Sequence, residues 1–66
     1  MKVEFDPEAD ALYVTLSGRD IVNTDEVKPG IILDYDKNGE VVGIEMLYVS
    51  RRAHGQTATI AQQPPD

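Results

Sequence analysis

Apolar and polar residues alternate one by one in five short segments of this chain, and turn-forming residues separate the segments. Alternation with period two sends successive side chains to opposite faces of a strand, whereas a helix needs a period of 3.6. Val3 and Phe5 alternate with Lys2, Glu4 and Asp6. Between Ala11 and Ser17, Leu12, Val14 and Leu16 fall on one side and Tyr13, Thr15 and Ser17 on the other. The segment Ile21–Val27 is diluted by Asn23, Thr24, Asp25 and Glu26, a composition that suits an edge strand. Ile31–Tyr35 and Val41–Val49 complete the set. No stretch of twelve residues carries the helical period. The pattern predicts a mainly β domain, or α+β if a helix is added. It would be a small antiparallel-rich sheet of four or five strands, with at most one short helix after residue 48.

The breaks between segments have chemistry of their own. In Asp6-Pro7-Glu8-Ala9-Asp10 the proline cannot donate to a ladder, and Asp6 is placed to cap a turn or a single helical turn. Gly18-Arg19-Asp20 and Pro29-Gly30 are further turns, and Asp36-Lys37-Asn38-Gly39 is the strongest hairpin signal in the chain. A four-residue loop at 36–39 sets Leu33 opposite Val42, Ile31 opposite Ile44 and Tyr35 opposite Glu40. Ile31, Leu33, Val42, Ile44 and Met46 then share a core face. A three-residue loop would put Leu33 opposite Gly43 and Ile31 opposite Glu45, dispersing the apolar set, so the pattern favours the longer loop. The back face reads Ile32, Asp34, Val41, Gly43, Glu45, Leu47 and Val49, of which Ile32, Leu47 and Val49 need a cover.

At 66 residues without cysteine, the chain has neither a disulfide framework nor a thiolate metal site, and its core is near the lower limit for independent folding. Apolar content thins after Ser50, and the stretch ends in Pro64-Pro65-Asp66. A small β-rich domain at 1–50 and a flexible C-terminal tail at 51–66 are therefore expected. A core this small, an open sheet and an apolar back face predict self-association, most simply a homodimer.

Residues 1–50 hold eleven acids and four bases, and the whole chain has a net charge of −6. That balance argues against direct contact with nucleic acid or an anionic membrane surface. With no apolar run of about 18 residues and no apolar leader, the expected compartment is the cytoplasm.

Few residues could carry chemistry. Asp34-x-Asp36-x-Asn38-Gly39, followed after five residues by Glu45, fits the calcium-loop expression in full. An EF-hand needs flanking helices, and both flanks here alternate like strands. In the four-residue-loop register Glu45 also lies about 13 Å along the strand from the partner of Asp34, too far to share an ion. The motif reads as turn chemistry. Asp6, Glu8 and Asp10 could act as acid and base or hold a divalent cation, though an exposed acidic turn is ordinarily just solvated. His54 is the only histidine and falls in the expected tail, and Ser17 and Ser50 have no base nearby in sequence. There is no phosphate-cradling glycine motif. Tyr13, Tyr35 and Tyr48 could stack on bases, but in an acidic chain they read as core or interface residues. Arg51 and Arg52 form too short a basic patch to reverse that. No catalytic, cofactor-binding or metal-binding residue is assigned, and no cofactor is expected.

The opening from Lys2 to Val14 (Lys-Val-Glu-Phe-Asp-Pro-Glu-Ala-Asp-Ala-Leu-Tyr-Val), the run Val27–Asp36 and the run Gly39–Leu47 are distinctive. Together they resemble a family of short bacterial and archaeal proteins known only as a domain of unknown function. Phe5 stands where that family usually has Tyr, and Met46 where it usually has Ile. The resemblance spans about residues 2–49. It implies a small β-rich fold and no particular activity. Some members look to be encoded beside small toxin-like proteins, which motivates an antitoxin-like, partner-binding role. The reading is a non-enzymatic protein-interaction module, with a basic protein as a possible partner. The alternative is a small-molecule or divalent-cation domain built on the carboxylates of residues 6–10.

Overall fold

All five alternating segments become strands of one antiparallel sheet, so the β-rich prediction is borne out. The computed structural model describes residues 1–53. Strand β1 is Lys2–Asp6, β2 Ala11–Thr15, β3 Asn23–Lys28, β4 Ile31–Tyr35 and β5 Val41–Met46, followed by the short helix α1, Val49–Ala53. In space the order is β1-β2-β5-β4-β3. Tight turns join β1 to β2, β3 to β4 and β4 to β5. The segment 16–22 carries the chain from β2, next to one edge, to β3 at the far edge. It stays hydrogen-bonded on the way: the amides of Leu16 and Ser17 donate to the Val42 carbonyl (2.8 and 3.2 Å), and the Val22 amide donates to Tyr35 (2.9 Å). The diluted segment does lie at an edge, as β3.

The 36–39 hairpin forms, in a register two residues away from the expected one. Leu33 faces Ile44 rather than Val42, and Ile31 faces Met46 rather than Ile44. The cause is the turn. Gly39 donates its amide to the Asp36 carbonyl (3.0 Å) and Asp36 donates to the Glu40 carbonyl (2.9 Å), leaving three residues in the loop. Gly39 takes φ 79°, the left-handed conformation that a three-residue hairpin loop requires. The tighter loop alone would disperse the apolar set. A bulge between Asp34 and Tyr35 shifts the ladder by one more residue and returns Leu33 and Ile44 to the same face. Face membership thus follows the sequence pattern while the pairing does not.

The register lays out two unlike faces. On one, Val3 pairs with Val14, Phe5 with Leu12, Val14 with Ile44 and Leu33 with Ile44, an apolar row crossing four strands. On the other, Glu4 pairs with Tyr13, Tyr13 with Glu45, Asp34 with Gly43 and Thr24 with Asp34. Leu47 and Val49, expected on the back face, leave the sheet instead, because β5 ends at Met46. The Leu47 amide donates to Gly30 (2.8 Å) and the Val49 amide to Asp10 (3.0 Å). These bonds tie the start of α1 to the turns at the end of the sheet, and α1 has no extensive contact with any strand.

A sheet buries an apolar face only against a second layer. Among the described residues there is none. Ala11 and Val42 are the only buried apolar side chains there, while Val3 is 59% and Phe5 53% exposed. Of the expected core face Val42 is buried, Ile31, Leu33, Ile44 and Met46 are half-buried, and among the described residues the apolar row is exposed at its β1 end, at Val3 and Phe5. Residues 54–66, most of the stretch expected to be a tail, lie outside the described residues, and Arg51 and Arg52 stand in α1.

Candidate functional site

The polar face holds a network that sequence reasoning did not find. The Tyr13 hydroxyl donates to Asp34 Oδ2 (2.5 Å), and the Thr24 hydroxyl donates to Asp34 Oδ1 (2.7 Å). Side chains from β2, β4 and β3 therefore meet across the intervening β5. Asp34 is buried, at 8% exposure, and each of its oxygens has a partner, as a buried carboxylate requires. Gly43 makes the reach possible. It lies between Tyr13 and Asp34, and a Cβ there would stand 2.8 Å from Tyr13 Cζ and closer still to the hydroxyl. The bond to Asp34, then burial, then the negative charges of Asp34 and Glu45 push the Tyr13 phenol up to about 12. A signal for this was available, since a glycine inside a strand often marks a close approach.

The hairpin turn is built around Asp36, which is 3% exposed. Its Oδ1 accepts from the amides of Asn38 (2.9 Å) and Glu40 (3.0 Å), and its Oδ2 lies 3.0 Å from Arg19 Nε. The Glu40 amide, then the Asn38 amide and the Arg19 charge, hold the carboxyl below the usual carboxylate value against the opposing effect of burial.

These placements dispose of the calcium-loop pattern. Asp34 is committed to Tyr13 and Thr24, and Asp36 to the turn amides. Glu45 lies two residues from Gly43, the partner of Asp34, which is about 7 Å rather than the expected 13 Å. It faces Tyr13 and Ile32. Among the described residues no three His, Cys, Asp or Glu side chains are placed to share a metal ion.

The 6–10 turn is also structural. Asp6 Oδ1 accepts from the amides of Glu8 (3.0 Å) and Ala9 (3.3 Å), the capping role expected of it. Asp10, at φ 54°, accepts from the Ser50 amide (3.0 Å) and hydroxyl (2.8 Å), anchoring α1. Ser17 Oγ accepts from the Arg19 amide (3.2 Å). Tyr48 lies under the Arg51 guanidinium, 5.4 Å from the ring centre, and Arg52 donates to the carbonyls of Leu47 and Pro29. His54 lies outside the described residues.

Asp6, Asp10, Ser17, Asp34, Asp36 and Arg52 each hold a turn, the start of α1 or the sheet itself. What remains without a partner among the described residues is surface: the exposed part of the apolar face, and the outer edges of β1 and β3. No helix among the described residues is long and apolar enough to cross a membrane. Neither a curated protein nor a solved structure matches the chain. A family model described as "Protein of unknown function (DUF2283)" matches residues 2–50, and the chain belongs to that family.

Proposed function

We propose that this protein works in the cytoplasm by binding other protein chains, its own copies included, rather than by catalysis. One observation carries the reading: a five-stranded sheet whose apolar face has no cover among the described residues. Apolar surface spread over four strands is an incomplete interface, because burying it is the main favourable term in association. The acidic balance supports a basic partner. A net charge of −6 would steer such a partner and speed its encounter in a salt-dependent way. A basic, nucleic-acid-binding toxin is one partner of that chemistry, in keeping with an antitoxin-like role. The exposed strand β3 offers main-chain groups for strand addition. The cation alternative draws less support, since Asp6 and Asp10 already spend carboxylate oxygens on local hydrogen bonds.

The test is co-purification of the full chain from its native host, followed by kinetics of the captured complex. Association should slow as salt rises from about 50 to 500 mM, as screening shortens. Reversing Asp25 and Glu26 to Lys should slow it further if β3 is the docking edge. No protein partner, combined with a metabolite or divalent ion that raises the melting midpoint, would overturn the reading.

A further inference from the structure

We infer that the apolar face is covered by a second copy of this chain, two sheets packing face to face in a symmetric sandwich. This rests on the protein-binding reading above and names one partner within it. It also moves the self-association surface. The residues expected to drive it were Ile32, Leu47 and Val49, but Leu47 and Val49 leave the sheet, and the open row runs through Val3, Phe5, Val14, Leu33 and Ile44 on the opposite face.

Three observations select a second copy. Among the described residues nothing covers it: α1 is held at the end of the sheet by Asp10 and Pro29, and residues 54–66 contain one large apolar side chain, Ile60. The distribution of charge points the same way. Lys2, Glu4, Asp6, Glu26 and Glu45 belong to the polar face. The strand charges whose pairing puts them on the apolar side are Asp25 and Lys28, both on the edge strand β3 and of opposite sign. Two acidic copies can meet there without opposing like charges, while a basic partner drawn by the acids finds almost no countercharge. The dimensions permit it: four strands of five or six residues make an apolar face about 19 Å by 17 Å, which a second sheet could cover at the usual spacing of about 10 Å. An isologous contact would give both copies their missing layer at once.

Sedimentation velocity on the full chain between about 5 and 500 µM should show a dimer, with a melting midpoint that rises with concentration. Val3→Glu, on the exposed end of the apolar row, should raise the dimer dissociation constant at least about tenfold. Glu4→Gln, one residue along on the other face, should leave it unchanged. Should Val3→Glu fail to fold, isotope-filtered NMR on mixed labelled and unlabelled wild-type chains decides the matter. Contacts between copies are expected from the methyl groups of Val14, Leu33 and Ile44. A monomer at the highest concentration overturns the inference, as does a dimer whose inter-copy contacts come only from β3 or the Tyr13 face. A monomer that still captures another protein removes this inference and leaves the wider reading in place. A face-to-face dimer with no other protein partner supports the inference and removes the heterologous partner.

Discussion

On one face of the sheet Tyr13, Asp34 and Thr24 satisfy one another across four strands, while on the other the row from Val3 to Leu33 meets no second layer among the described residues. The contrast follows from the range and direction of the forces. A hydrogen bond needs its partner within about 3 Å and in line, so Tyr13, Asp34 and Thr24 satisfy one another only in the strand order seen here. Apolar burial has no direction and scales with area, so it can be completed later by another surface. One face is finished internally, and the other stands without a second layer among the described residues.

The largest effect should come from the open face. Ile44→Asp puts an unpaired carboxylate at the centre of the apolar row and should abolish the cooperative thermal transition seen by far-UV circular dichroism. Glu45→Gln, the next residue on the opposite face, should change stability by less than about 0.5 kcal/mol. Equal effects at the two positions would erase the distinction between the faces.

Gly43→Ala tests the finished face. The new Cβ collides with the Tyr13 ring, at a cost of about 2–3 kcal/mol in chemical denaturation. Most of that cost should vanish in a Tyr13→Ala background, because the colliding group is gone.

Tyr13→Phe removes only the hydroxyl and should cost about 1.5 kcal/mol at neutral pH, the lower end for a bond to a carboxylate. It also has a signature in pH. The free phenol ionises near 10.0 and the folded one near 12, so over that window the unfolded chain binds fewer protons and stability falls as pH rises. Denaturation at pH 9 and pH 11 should show a decline in the wild type that the variant loses in part. An unchanged decline would mean that Tyr13 does not hold its proton through Asp34.

The smallest effect concerns the hairpin turn. The Asp36 carboxyl titrates below its ordinary 3.8, so its stabilisation is present above that pH and is lost as pH falls through the lowered folded value. Asp36→Asn should make the melting midpoint less sensitive to acid below about pH 4, and a variant as acid-sensitive as the wild type would remove Asp36 from that role.

The sequence by itself determined that there are five strands, that Ile31, Leu33, Ile44 and Met46 share a face, the edge position of the 21–27 segment, the cap at Asp6 and the family, though not that β5 stops at Met46 before Leu47 and Val49. All of these are local or periodic. Alternation acts between neighbours along the chain, and a turn is decided within about four residues. The hairpin register was not legible in this way, because Asp36 tightened the loop and a bulge then restored the faces, two shifts that leave the same alternation pattern. Nor was the Tyr13–Asp34–Thr24 network. Thr24 and Asp34 meet across the β3–β4 hairpin, but Tyr13 and Asp34, 21 positions apart, become neighbours only once β5 lies between β2 and β4. Only the tertiary structure decided that the apolar row would meet no second layer among the described residues. A pattern of apolar residues records which side wants burial, and whether a layer arrives to bury it depends on where the rest of the chain goes.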